Sequence, residues 1–229
     1  MSVSPLFAAD LGRVLASPGC PLCTLSRADD ERYLGSLLQE GLSNVGLLDR
    51  LSLAGGFCAE HAWALQRMEQ REWHGGLTNA CFERPLLAEA LAWLDTLPTA
   101  PRAIRKASFE VGECPACASR ARMERNRAAG LAEALGENRF AHLYAERPEG
   151  LCMPHFRFVW REQMPAQVRE SLRVAQRRRL QELLERLDRY LWKHKMNVSE
   201  PKSPEEVSSW TEAVAMLSGD AADPIEDGT

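Results

Sequence analysis

Eight residues of this 229-residue chain fall into two sets of identical spacing: Cys20, Cys23, Cys58 and His61, then Cys114, Cys117, Cys152 and His155, each 94 positions after its counterpart. Each set reads C-P-x-C, a gap of 34 residues, then C-x-x-H. Thiolates and imidazoles at such spacings are the donors zinc takes in closed tetrahedral sites, so the pattern predicts two Cys3His sites holding two zinc ions, one per copy. A gap of 34 residues holds a long helix out, a turn and a shorter helix back. Read within each copy, that predicts one site from Cys20, Cys23, Cys58 and His61, and another from Cys114, Cys117, Cys152 and His155.

The segments between the ligands have helical period and none alternates as a strand does, so the chain reads as all-α. A short helix near Pro5–Ala16 stops at Ser17-Pro18-Gly19 and leads into the first C-P-x-C. Leu25, Tyr33, Leu34, Leu37 and Leu38 then mark one side of a long helix; a shorter one follows through Leu47, Leu48 and Leu51; a third carries Cys58, His61, Trp63, Leu65 and Met68. Three apart on a helix, Cys58 and His61 have Cβ atoms about 5–6 Å apart, close enough to share an ion. A connecting helix over about Leu77–Leu97 contains Pro85, and Pro98 and Pro101 end it.

The same order returns after Cys114, with Asn138 in the place of Asn44, and closes on a long helix over about Pro165–Lys195. Its Val168, Leu172, Leu180, Leu183, Leu184, Leu187 and Leu191 are expected to form one stripe. The expected organisation is two tandem metal-clipped helical repeats with long amphipathic connecting helices, over residues 1–98 and 99–198, with a terminal piece at 199–229. In that piece Ser203-Pro204-Glu205-Glu206 is a helix start. Val207, Trp210, Val214 and Leu217 should dock it onto the body, and the acidic residues past Gly219 should be disordered.

A hydrophobic content of 45% suffices for a packed core, yet no window approaches the roughly 18 uninterrupted apolar residues of a membrane span. Asp10 and Arg13 break the apolar stretch at the N-terminus where a secretory leader would have neither, so a cytoplasmic protein without a membrane partner is expected. In a reducing compartment cysteines point to metal rather than disulfides. Cys81, outside both sets, reads as a small buried apolar residue. The net charge of −4 divides unevenly: from Ser199 onward eight acids face only Lys202, leaving 27 basic against 24 acidic residues before it. The body therefore lacks the basic excess of a typical nucleic-acid binder, and the basic helix at 165–195 is the one local candidate for such a contact. Its interspersed acids read more simply as a solvated face. His74, His142 and His194 lack partners at ligand spacing and read as surface or capping residues, while Trp63, Trp93, Trp160 and Trp192 read as helix packing.

Other chemistries compete for the cysteines. A thioredoxin-like dithiol needs a βαβ setting and leaves Cys58 and His61 unexplained; haem attachment would need C-x-x-C-H. Iron–sulfur clusters remain a direct alternative to zinc, since thiolate-rich sets with one histidine also hold them.

The strings Gly19-Cys20-Pro21-Leu22-Cys23, Tyr33-Leu34, Leu37-Leu38 and Gly56-Phe57-Cys58-Ala59-Glu60-His61-Ala62-Trp63 resemble an uncharacterised bacterial and archaeal family, a domain of unknown function marked by C-P-x-C and G-F-C-x-x-H. Trp210, Ala213, Leu217 and Gly219 resemble its closing segment. The second copy departs from that pattern at Leu151 and Pro154. The resemblance implies two metal sites on a helical fold and lends no activity.

Four protein donors leave no open position for water or substrate, and no phosphate-binding loop, H-E-x-x-H or nucleophile elbow is present. A non-catalytic, metal-stabilised scaffold or adaptor with a protein partner is the expected function. A redox or sensing protein is the alternative, built on iron–sulfur clusters or on thiolates that release metal when oxidised. A nucleic-acid-associated zinc protein comes third.

Overall fold

The computed structural model describes residues 4–40, 43–97, 112–195 and 198–220. Among these residues the chain forms ten α-helices and no strand, as its periodicity implies. In order they are α1 (Pro5–Leu15), α2 (Pro21–Glu40), α3 (Val45–Ala54), α4 (Ala59–Trp73), α5 (Leu77–Thr96), α6 (Pro115–Ala134), α7 (Asn138–Glu146), α8 (Met153–Arg161), α9 (Ala166–Trp192) and α10 (Pro204–Ser218). Pro85 lies inside α5, which continues through it. The expected boundary at residues 98/99 lies outside the described residues; of the acidic residues past Gly219, Asp220 is ordered by hydrogen bonds to Cys20 and Cys23, contrary to the expected disorder, and residues 221–229 lie outside the described residues.

The chain divides into two compact units, but not at the expected boundary. Unit 1 is Met1–Arg27 with Glu124–Thr229, and unit 2 is Ala28–Met123. The division thus falls inside α2 and inside α6. Helix length explains this. Twenty residues of α2 rise about 30 Å while the ten of α3 return only about 15 Å, so the chain coming back to Cys58 meets α2 near its middle and not at its start. The nine residues of α7 fall short of α6 in the same way.

Each unit has its own core. In unit 1, Leu11, Val14 and Leu15 of α1 pack with Leu22 and Leu25 of α2, Ala128 and Leu131 of α6, Phe140 and Tyr144 of α7, Val159 of α8 and Leu172 of α9. In unit 2, Leu34, Leu37 and Leu38 of α2 pack with Leu47 and Leu51 of α3, Leu65 and Met68 of α4, and Phe82 of α5, on which Phe57 stands edge-on. Buried Glu69 starts α5 by accepting hydrogen bonds from the backbone of Thr78 (2.7 Å) and Asn79 (3.0 Å).

Two expected packing faces are rotated. On α9 the buried residues are Leu172, Gln176, Arg179 and Leu183, whereas Leu184 and Leu191 are exposed. Helix α10 begins with the capping box read from Ser203 and Glu206 and packs on α8 and α9, but through polar side chains. Glu206 accepts from Lys193 at 2.9 Å, Glu212 pairs with Arg186, and Ser209 is fully buried. Val207, Trp210, Val214 and Leu217, the face expected to dock, are 48–64% exposed. Ion pairs between long side chains fix the helix in an orientation that hydrophobic periodicity alone does not reveal.

Candidate metal centres

All eight predicted ligands come together, in two groups that could each hold a metal ion: Cys20, Cys23, Cys152 and His155 in unit 1, and Cys58, His61, Cys114 and Cys117 in unit 2. The pairing is crossed. The C-P-x-C of one copy meets the C-x-x-H of the other, which corrects the expectation that each copy closes its own site.

Every ligand pair occupies the same place on a helix. Cys58 and Cys152 are the N-cap residues of α4 and α8, which puts His61 and His155 at the third helical position. Cys20 and Cys114 stand just before Pro21 and Pro115, the first residues of α2 and α6, and their carbonyls accept the first helical bonds from Thr24 (3.2 Å) and Ala118 (3.0 Å). Cys23 and Cys117 then occupy the third position. Proline suits the first helical turn because its N–H would be unpaired there anyway, which explains the C-P-x-C string and also makes Pro154 harmless inside the second C-x-x-H. Each centre is thus two helix N-termini facing each other, and their N–H groups and dipoles favour the negative charge of thiolates.

The donor spacings fit a single tetrahedral ion. In the first centre His155 Nδ1 lies 3.5, 3.3 and 3.1 Å from the sulfurs of Cys20, Cys23 and Cys152, and the Cys23 and Cys152 sulfurs are 3.8 Å apart. In the second, His61 Nδ1 lies 3.1, 3.8 and 3.4 Å from those of Cys58, Cys114 and Cys117, with Cys58 and Cys117 3.6 Å apart. A tetrahedral ion bonded at about 2.3 Å to sulfur and about 2.05 Å to nitrogen requires S–S edges of about 3.8 Å and S–N edges of about 3.6 Å.

Without a cation such groups cannot all give up their protons. In the first centre burial resists ionisation, but Cys152, Cys23 and His155 lower Cys20, whereas Cys152 and Cys20 together with burial raise Cys23. His155, though burial pulls it down, is pushed up to about 12 by Cys152, Cys20 and Glu124. In the second centre, Asp30 outweighs burial and raises His61 to about 9; burial and its sulfur neighbours raise Cys117 to about 12; Cys58, against burial, falls to about 7 through hydrogen bonds from His61. Thiols pushed in opposite directions beside an imidazole pushed up are what a crowded donor set shows when no cation shares its charge.

Both imidazoles turn their second nitrogen to a carboxylate. Asp30 Oδ2 faces His61 Nε2 at 3.9 Å, and Glu124 Oε1 faces His155 Nε2 at 3.7 Å. Arg120 holds Asp30 and Glu60 at 2.6 Å each, while the Ser26 hydroxyl donates to Glu124 at 3.0 Å. At these separations the carboxylates act on the rings through charge rather than through a hydrogen bond, and His61 Nε2 has no hydrogen-bond partner. Asp30 and Glu124 each follow the first cysteine of their copy by ten residues. Extending the 94-residue register past the cysteines would have exposed them.

Other supports carry no sequence signal. Buried Arg147, between α7 and α8, donates to the carbonyls of Val14 (3.0 Å), Ser17 (2.8 Å) and Gly19 (2.5 Å), fixing the turn that delivers Cys20. Gln176 donates to the Leu151 carbonyl at 2.8 Å and Arg179 to those of Tyr144 and Arg147, so the polar stripe of α9 holds the segment that delivers Cys152. A Cβ on Gly150 would lie 2.7 Å from Gln176 Oε1 and 2.9 Å from Arg179 Cδ, so a larger residue there requires both side chains to shift. After α10, Asp220 accepts from the Cys20 backbone N–H at 2.9 Å and donates its own N–H to the Cys23 sulfur at 3.4 Å.

The remaining readings divide. His74 caps α4 in the left-handed region, His142 pairs with Glu146 at the surface, and His194 bonds the Tyr190 carbonyl at the end of α9, in agreement with their surface and capping assignment. Cys81 is exposed, not buried. Among the tryptophans Trp160 stacks on Phe156 beneath Arg169, Trp93 and Trp192 are part-exposed, and Trp63 is mostly exposed, contrary to its reading as a packing residue. On the basic helix Arg173 pairs with Glu170, Arg178 with Glu182, Arg186 with Glu212 and Arg189 with Glu206. No helix among the described residues is long and apolar enough to cross a membrane. Comparison with known proteins returns no matching family model, curated protein or solved structure.

Proposed function

We propose that the chain is a non-catalytic helical scaffold in which each unit is fastened by one zinc ion, held by Cys20, Cys23, Cys152 and His155 in one and by Cys58, His61, Cys114 and Cys117 in the other. The observation that carries this reading is the pair of four-donor sets in each of which a histidine Nδ1 stands 3.1–3.8 Å from three sulfurs. Zinc there supplies a fixed charge and a cross-link, and structural zinc contributes about 10–16 kcal/mol of apparent binding energy in small peptides, comparable to the whole stability of a domain. Four protein donors per ion support a structural role over hydrolytic chemistry.

All donors of a set lie within 4.8 Å of one another, whereas a cluster distributes its donors over separate irons and spreads them to roughly 6 Å. This favours one ion over an iron–sulfur cluster. The pairing of Arg173, Arg178, Arg186 and Arg189 with acids of the same chain counts against nucleic-acid binding through the basic helix. Free thiols suit a reducing compartment, which supports the cytoplasm. The 94-residue register shared by the ligands, by the starts of α2 and α6 and by their 20-residue lengths supports a duplicated ancestral half, and the C-P-x-C and G-F-C-x-x-H strings support kinship with the uncharacterised family they resemble.

Elemental analysis of protein purified without chelator tests the proposal. Two zinc atoms per chain and a colourless solution are expected. A brown preparation absorbing near about 400 nm would establish clusters instead, and a metal-free, cooperatively folded protein would end the metal reading altogether.

A further inference from the structure

The two centres are built from the same parts but are not equally closed. All four ligands of the first are buried, whereas Cys58 and Cys117 of the second are only half-buried. The first centre also has a cover: where α10 ends, Gly219 and Asp220 lie across its sulfurs. A Cβ on Gly219 would sit 3.5 Å from the Cys23 sulfur and 3.9 Å from that of Cys152, so the backbone itself packs on the thiols. Gly219 reaches that position with φ +98°, in the left-handed region open to glycine. Asp220 fixes the cover at both ends of the C-P-x-C, accepting from the Cys20 N–H and donating to the Cys23 sulfur, and Arg27 stands 3.9 Å from its carboxylate.

Resting on the zinc reading, we propose a division of labour: the first centre is a latched structural site whose ion is kinetically locked, and the second is an exchangeable site that passes its ion to competing thiolate or chelating ligands. Exchange requires an incoming donor to reach the metal as a protein sulfur leaves. At the second centre Cys58 and Cys117, which are not fully buried, offer that approach. At the first, the Gly219-Asp220 latch has to lift, breaking its N–H···S and N–H···O bonds before any donor can enter. Asp220's hydrogen bond also draws electron density from the Cys23 sulfur, making it a poorer target for protons and electrophiles.

The test uses the full chain loaded with zinc. Stoichiometry is measured first, which judges the zinc reading by itself; an excess of a chromogenic chelator is then added and release followed by the colour of its zinc complex. Two phases of one ion each are expected, the rapid one absent from Cys117→Ser. In Asp220→Ala, and in Gly219→Val, which cannot easily adopt the latch conformation, the slow phase should quicken by about tenfold or more while the rapid one is unchanged. Circular dichroism of the loaded variants guards against a general loss of structure. Equal release rates from a chain carrying two ions, a slow ion that maps to the second centre, or a slow phase indifferent to both latch substitutions in folded protein would each overturn the proposal.

Discussion

Cys23 Sγ lies 3.3 Å from His155 Nδ1, although 132 residues separate them. The histidine nearer in sequence, His61, instead faces the sulfurs of Cys114 and Cys117. This exchange of partners gives the metal sites a genetic signature. Combining Cys23→Ser with Cys152→Ser should leave one zinc per chain, because both belong to one centre, whereas Cys23→Ser with Cys58→Ser should leave none. Pairing within each copy predicts the reverse, so metal counts on the two double variants decide between them.

Arg147 is the buried link between the two strands of chain that build the first centre. Replacing it with methionine keeps much of its volume but leaves the carbonyls of Val14, Ser17 and Gly19 without their donor, and should lower stability by about 2–4 kcal/mol. Urea denaturation of the zinc-loaded protein measures this. A change below about 0.5 kcal/mol would show the clamp to be dispensable.

Metal binding should expel protons. With His155 raised to about 12 and His61 to about 9, both rings carry a proton at neutral pH in the metal-free state, and zinc takes the place of that proton on Nδ1. Affinity should therefore rise with pH, and calorimetry in buffers of different ionisation enthalpy should report net proton release. Asp30→Asn should weaken the second centre, and Glu124→Gln the first, by about 10–100-fold in chelator competition. Unchanged affinities would remove both carboxylates from the metal sites.

Glu69 supplies a pH dependence independent of metal. Burial opposes its ionisation, but hydrogen bonds from Asn79 and Thr78 outweigh it and hold the carboxyl below its ordinary value of 4.5. Since the folded pKa is the lower one, its contribution is complete above about 4.5 and disappears as the pH falls from there through the folded value. Glu69→Gln should cost about 1–3 kcal/mol near neutrality, with the difference from the parent shrinking in acid. A gap that stays constant down to pH 3 would contradict this assignment.

Much of this architecture was written in the order of residues. Helical period, the proline and glycine breaks, the Ser203 cap and the eight ligands follow from local chemistry, because a helix N-terminus and a metal donor are recognisable one turn at a time. The readings that failed all required knowing what lies opposite. Trp210 and Val214 repeat on one face of α10, yet ion pairs from Glu206 and Glu212 turn that face outward. Gln176 and Arg179 look like surface residues until the carbonyls of Leu151, Tyr144 and Arg147 are placed above them.

The sequence by itself determined the donor chemistry, the helical class and the position of each ligand pair on its helix, since these depend on contacts within a few residues. Tertiary structure alone decided which pair meets which. The 20-residue helix outruns the ten-residue helix after it, so Cys58 and His61 arrive beside the middle of α2, near Asp30, and each centre is completed by the other copy.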